Sequence, residues 1–286
     1  MKTCFFASDL HGKEERYRKL FQVIEREAPI AVFLGGDLFP SGLGAMTGVK
    51  GYKDFLKDVF AAGFTKLKKA LSRDYPSVFV ILGNDDARIR EWEMKELANQ
   101  DLWDYVHNKC VSWRDYSVYG YAFVPPTPFM LKDWERYDVS NYLDPLCVAP
   151  EDGWFSVSVA EAASKHQTIQ NDLQQLAQND NLSRAIFLFH TPPYNTGLDR
   201  AALDGKKVNH VDLDVHVGSI AVRRFIESKQ PLLTLHGHIH ESARITGLWK
   251  EQIGKTFAFS AAHDGYELAL VRFDLDNLEN ATRELL

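Results

Sequence analysis

The chain of 286 residues carries 39 acidic and 33 basic side chains, a net charge of -6, and is 45% hydrophobic and 12% aromatic. This composition excludes a disordered chain, and at this length folding buries about three-quarters of the unfolded surface. Mild acidity without a long Lys/Arg run disfavours a nucleic-acid polymer or an anionic membrane as partner; the densest basic stretch, Lys66, Lys68 and Lys69, reads as a solvated helix face.

The opening MKTCFFASDL has one Lys and a short apolar run, then Asp9 and His11, which is neither a secretory nor a transit segment. Cys4, Cys110 and Cys147 make an odd number with no CxxC spacing, so the expected setting is reducing and cytoplasmic. In chain order, an apolar run at 4–7 predicts a strand, and Tyr17, Leu20, Phe21 and Ile24 share one helix face. A second strand is predicted at 30–34, a helix carrying Phe55, Leu56, Val59, Phe60 and Leu67, and a third strand at 78–82. Residues 112–124 predict a hairpin. Residues 125–158, opened by Pro125, Pro126 and Pro128 and rich in aromatics, lack any period and predict an ordered insertion, either a lid that recognises a ring or a wrap over the core. Further strands are predicted at 185–189 and 232–235, with Ser219 capping a helix that carries Val222, Phe225 and Ile226 between them. Residues 256–274 again look like hairpin strands. Strand, helix, strand in succession means an α/β fold with a substantial parallel component, and the two hairpins imply a mixed or second sheet.

The residues after each strand carry the chemistry. The five runs end in Asp9-Leu10-His11, Gly35-Gly36-Asp37, Gly83-Asn84-Asp85-Asp86, His190-Thr191-Pro192-Pro193 and Gly237-His238-Ile239-His240. Ligands of open α/β sheets sit outside the carboxyl ends of strands, so these clusters should converge. Carboxylate, imidazole and amide oxygen suit Mn, Fe or Zn, and seven ligands exceed the needs of one tetrahedral ion. Two ions sharing a carboxylate would use the surplus. A lone DxH or GD is nearly uninformative, but composition alone expects only about 0.02 occurrences of GHxH. Gly42-Leu43-Gly44 with Gly48 is one residue too long for a dinucleotide-binding loop.

As an ordered set, these motifs resemble the signature of the calcineurin-like metallophosphoesterases, over residues 9–240. The resemblance implies two mixed β-sheets packed as a sandwich flanked by helices, in a single domain over 1–286 with the insertion at 125–158. It also implies Asp9, His11 and His240 on one metal ion, Asn84, His190 and His238 on a second, Asp37 bridging, and a hydroxide between the ions as nucleophile. Family members acting on phosphomonoesters often have Gly-Asn-His-Asp at the third motif, where the histidine contacts phosphate. Here Asp85 replaces it, a poor proton donor that repels a dianionic monoester more than a monoanionic diester. Asp86 matches the family's acidic position, which orients its neighbour, so Asp85 and Asp86 are the candidate catalytic carboxylates.

The expected function is hydrolysis of a small phosphoric ester, with a phosphodiester favoured. A phosphomonoesterase or protein phosphatase would use the same ions, and a non-catalytic metal-binding scaffold is the alternative from another class. Arg88 could hold a second phosphate, although arginines at a helix start are commonly solvated. His216, before a predicted helix N-terminus, could lie near substrate or serve the cap. His236, inside the fifth strand, is expected to pack or to support a ligand rather than bind metal.

Overall fold

The computed structural model describes residues 3–41, 54–158, 167–178 and 181–286. Each of the five apolar runs forms a strand, and β-branched and aromatic content with little exposed surface suits them to burial on both faces. They divide between two six-stranded sheets. The first holds β1 (Thr3–Ala7), β2 (Ala31–Gly35), β3 (Ser77–Ile81) and the two-residue β4 (Asp104–Tyr105), all parallel. The second holds β6 (Tyr116–Tyr121), β7 (Ala185–Phe189), β10 (Leu233–His236) and β12 (Thr256–Ser260), also parallel to one another. β5 (Lys109–Trp113) and β11 (Lys250–Ile253) close its two edges antiparallel. On the first sheet, β13 (Ala269–Asp274) pairs antiparallel with β1, and β14 (Asn277–Leu285) with β13. Lys207–Val208 and Val211–Asp212 form a separate small ribbon, β8 and β9.

Both sheets are therefore mixed, as the family resemblance implies. They meet through β2 on β7 and β3 on β6, with Phe33 near Trp113 and Phe259 near Phe273 across the interface. Six α-helices lie among the described residues: α1 (Glu14–Glu27), α2 (Ala62–Leu71), α3 (Glu91–Ala98), α4 (Ile169–Leu176), α5 (Ile220–Lys229) and α6 (Ser242–Thr246). Tyr17, Leu20 and Ile24 are buried on α1 as their spacing requires, and Tyr17 meets Phe55 and Phe60 edge-on. The expected helix through Phe55 and Leu67 begins with a π-helical turn, Leu56–Ala61, before α2. The Ser219 hydroxyl accepts from Val222 N at 3.0 Å and caps α5.

Two expectations change. The first hairpin runs from Lys109 to Tyr121 rather than over 112–124. Residues 256–274 are no hairpin: β12 and β13 lie in different sheets, and the chain between them crosses from one to the other. In this part of the chain the hairpins are β11–β12 and β13–β14. Strand, turn, strand reads alike in sequence whether the second strand pairs with the first or crosses over.

The insertion at 125–158 is ordered, with a single 3-10 turn at Pro150–Asp152 and isolated bridges such as Leu131 to Trp154. Individual contacts hold it: a fully buried Lys132–Glu135 ion pair at 2.5 Å, the Trp134 indole donating to Asp86 O at 2.8 Å, and Asp138 accepting from Ile220 N at 2.7 Å. Trp134 and Tyr137 are buried, whereas Phe129, Tyr142 and Trp154 are exposed. The glycine-containing stretch at 42–48 lies outside the described residues. No helix among the described residues is long and apolar enough to cross a membrane.

Candidate metal centre

Parallel strands deliver their carboxyl ends to one rim, and backbone bonds then lock the following turns together. Asp9 N donates to Gly36 O at 3.0 Å, His11 N to Asp37 O at 2.8 Å and Gly12 N to Leu38 O at 2.9 Å, so the turns after β1 and β2 run side by side. Across the sandwich, His190 Nδ1 donates to Gly35 O at 2.7 Å and His238 N to Asp9 Oδ1 at 3.0 Å. Asp9, His11, Asp37 and His238 all adopt positive φ, between 48° and 74°. Each such residue costs about 1–3 kcal/mol, a strain that concentrates at functional sites. Glycines clear the approach: a Cβ at Gly83 would stand 2.5 Å from Asp37 N and 2.7 Å from His190 Cε1, and one at Gly237 would stand 2.6 Å from Asp9 Oδ2. This is the physical content of the GN and GH pairs.

Polar side chains gather on both sides of Asp37. Ligand atoms of Asp9, His11, Asp37 and His240 lie within 4.8 Å of one another. The Nε2 atoms of His11 and His240 are 3.1 Å apart, and His240 Nε2 is 3.3 Å from Asp9 Oδ1. On the other side, His190 Nε2 lies 3.0 Å from Asn84 Oδ1, with the His238 ring centroid 5.2 Å from that of His190. Asp37 stands between: its Oδ2 is 3.3 Å from His190 Nε2 and 3.9 Å from His11 Nε2. The structure thus brings together all seven residues singled out as ligands.

The electrostatics favour added positive charge. Burial raises the Asp9 carboxyl, but its bond to His240 and the nearby imidazoles outweigh this and hold it well below the usual range. Asp37 is likewise lowered to about 2, with His190 and His11 overcoming burial. In return, and against burial, Asp85, Asp37 and Asp9 lift His11 to about 9, while Asp37 and Asp9 lift His190 to about 9. Burial and the His190 charge push His238 down to about 3. Metal cations would take the place of the two imidazole protons. Among the described residues the buried Asp9 Oδ2 has no hydrogen-bond partner, a free lone pair of the kind a cation uses, so the residues present fit a metal centre.

The remaining candidates separate. Asp85 Oδ2 lies 3.2 Å from His11 Nδ1 and its amide donates to Asp37 Oδ1 at 2.8 Å. Asp86 is buried and accepts from Leu38 N, Phe39 N and Gly83 N at 2.8–3.1 Å; burial and the Asp37 charge push it up to about 7. It ties the turns after β2 and β3 to each other. Arg88 lies over the rings of Trp134 and Phe123, 5.1 and 5.9 Å from their centroids, and its amide donates to Asp133. His216 Nδ1 bonds Asp199 Oδ1 at 2.7 Å, and the α5 N-terminus that could have drawn an anion is filled by Asp138. His236 bonds Thr191 O and Thr234 Oγ1 and stacks on Phe189, the packing role expected.

Sequence reasoning missed Arg16. It is buried, and its guanidinium donates to Asp9 O and to Gly265 O at 2.6 Å, fastening the first ligand turn to the β12–β13 crossover. Its place beside the apolar-face position Tyr17 gave the one available hint.

A family model for the calcineurin-like phosphoesterases matches residues 3–242, and the chain belongs to that family. An uncharacterized protein of Methanocaldococcus jannaschii, MJ1162, is 33% identical over 88 residues, covering 30% of this chain and 34% of the relative, so the match spans about a third of that protein's length. Among solved structures, TT1561 of Thermus thermophilus superposes with a TM-score of 0.56 at 19% identity, covering 99% of this chain and 98% of the other. A dimetal phosphatase from Danio rerio superposes with a TM-score of 0.51 at 14% identity, covering 94% and 91%.

Proposed function

We propose that this protein is a dinuclear metal-dependent hydrolase of small phosphoric esters, with a phosphodiester of a small molecule or nucleotide preferred. In this reading Asp9, His11 and His240 hold one ion, Asn84, His190 and His238 the other, and Asp37 both. The observation that carries it is the position of Asp37 Oδ2, 3.3 Å from His190 Nε2 and 3.9 Å from His11 Nε2. When bound, two such ions supply Lewis acidity towards phosphoryl oxygens and lower the pKa of water. Mn, Fe or Zn suits the donor set.

The chain's own part is positional. Arg16 fixes the Asp9 backbone, Asp86 joins the turns after β2 and β3, and Gly36, Gly83 and Gly237 leave room for the ligands to approach. Asp85 adds a carboxylate where a dianionic monoester would have to approach, and a monoanionic diester meets less repulsion. Net acidity favours a small ester over a long polyanion. The whole of 1–286 serves as one domain, since β12 pairs with β10 and β13–β14 extend the sheet of β1, and the unpaired cysteine count favours a reducing cytoplasm.

Metal analysis of the purified protein, paired with hydrolysis of bis-nitrophenyl phosphate and nitrophenyl phosphate, tests this reading. Two equivalents of metal and faster turnover of the diester are expected. A protein that takes up no Mn, Fe or Zn and turns over neither ester would be a scaffold. At saturating metal, equal effects of Asp85→Ala on both esters would remove the argument for a diester.

A further inference from the structure

The two metal-facing histidines with assigned outer partners are braced differently. His190 turns its Nδ1 to the Gly35 carbonyl, a neutral backbone acceptor, at 2.7 Å. His11 turns its Nδ1 to a carboxylate, Asp85 Oδ2, at 3.2 Å. Its other ring nitrogen, Nε2, then faces His240 Nε2 at 3.1 Å and Asp37 Oδ2 at 3.9 Å. Asp85 is itself held at two points: Ser41 Oγ donates to its Oδ1 at 2.9 Å, and its amide is anchored on Asp37 Oδ1 at 2.8 Å. One residue thus touches a ligand of the first donor set through its side chain and the shared carboxylate through its backbone.

Such an arrangement has a known physical consequence. A ligating imidazole has two tautomers, and the group bonded to one nitrogen decides which lone pair the other presents. A carboxylate at Nδ1 holds the proton there, frees the Nε2 lone pair, and raises the basicity of the ligand. His11 needs such help, because it sits at φ 48° on a turn whose backbone geometry is strained.

We propose that Asp85 is a positioning residue for the metal centre: it sets the tautomer and orientation of His11 and thereby the affinity of the first metal position, with Ser41 steadying the carboxylate. The inference rests on the dinuclear reading above and gives Asp85 a task other than proton donation. It also makes the two positions unequal, because the support for His11 is anionic and that for His190 is neutral.

Titration calorimetry of the metal-free full-length chain with Mn²⁺ tests it. The wild type should show two binding events. Asp85→Ala should weaken one of them by about 10- to 100-fold and leave the other within a few-fold. Asp85→Asn, which retains an acceptor but not the charge, should recover part of the loss, and Ser41→Ala should cost less than either. The ¹⁵N shifts of His11 should report a proton on Nδ1 in the Mg²⁺- or Zn²⁺-loaded wild type and a mixture of tautomers in Asp85→Ala. Two wild-type affinities in Asp85→Ala, with activity lost, would overturn the proposal and return Asp85 to a direct role on substrate. Absence of any Mn²⁺ binding by the wild type would instead overturn the dinuclear reading itself.

Discussion

The turns that carry the metal donors and the segment 125–158 are both irregular chain, yet they are built in opposite ways. Three of the turns share a device, in which a buried strand ends and a glycine at 36, 83 or 237 clears space for the polar side chain that follows, while Asp9, His11, Asp37 and His238 project theirs from a backbone at positive φ. The insertion repeats nothing. It is held by single contacts, each between residues of unlike kind: Lys132 on Glu135, Trp134 on Asp86, and Asp138 on the α5 N-terminus. The insertion braces the turns that carry the candidate site, since Trp134 and Asp133 grip the backbone of Asp86 and Arg88 just beyond Asn84. Substitutions in the first region should therefore cost activity, and those in the second stability.

The largest effect is expected at Asp37. On the proposed dinuclear reading, alanine there removes a ligand from both ions, and losing several kcal/mol of metal-dependent stabilisation corresponds to about 10⁴-fold in kcat on the preferred ester. Steady-state kinetics beside a thermal melt checks it. Retention of more than a tenth of wild-type activity would break the comparison at its strongest point.

On the insertion side, Lys132→Met leaves the Glu135 carboxylate without its buried cation. Stranding one member of a buried pair costs about 3–5 kcal/mol, read as a shift of the urea midpoint. Burial already pushes Glu135 up to about 7 even with Lys132 beside it. Adding Glu135→Gln, whose single oxygen can still accept from Thr127 N while its amide nitrogen donates to Thr127 Oγ1, should recover more than half of the loss. Metal-saturated kcat of the folded fraction should stay near that of the wild type; a collapse of kcat would mean that the insertion does more than brace.

The same contrast explains what the sequence made legible. The five buried strands were readable because each carries an apolar run, and the seven residues proposed as ligands stood out as polar groups at the strand ends, three of them behind a glycine where a Cβ would collide. Arg16 was not readable, because its task is to satisfy the carbonyls of Asp9 and Gly265, which any sequence possesses. His216 and Arg88 drew notice as isolated polar residues near helix starts. Besides local partners such as Glu91 and Asp214, the contacts that settle their roles, Asp199 for one and the Trp134 and Phe123 rings for the other, come from 17 to 46 positions away. The β12–β13 crossover was hidden for a related reason, since pairing partners are set by tertiary contact rather than by the turn between them.

A more moderate loss is expected at Gly83. A methyl group there would crowd Asp37 N and His190 Cε1 at 2.5 and 2.7 Å, so both residues must move by about an ångström. Misplacement on this scale costs about 10²-fold in rate. Gly205→Ala is the control: no atom lies within 4 Å of its Cβ, and although φ of +71° penalises alanine in stability, turnover should be unchanged. If the two variants had equal kcat, steric clearance would not be why glycine stands in the ligand turns.

The smallest effect tests the boundary between strand and turn, where two histidines sit two residues apart. His238, in the turn, faces the second donor set, whereas His236, the last residue of β10, is stacked on Phe189 and bonded to Thr191 and Thr234. Burial pushes His236 down to about 4 from an ordinary 6.5, partly offset by its bond to Thr191 O. Between those values the unfolded chain binds the proton more readily than the folded one, so stability must fall as pH drops through that window. From pH 7 to pH 5 this group alone contributes a loss of about 2 kcal/mol. His236→Asn cannot titrate, so its urea stability should decline less than that of the wild type over the same interval, measured with metal bound so that the centre's own protonation is suppressed. Parallel declines would mean that His236 is charged or hydrated in the folded protein, and that the division between packed strand and chemical turn falls earlier in the chain than Gly237.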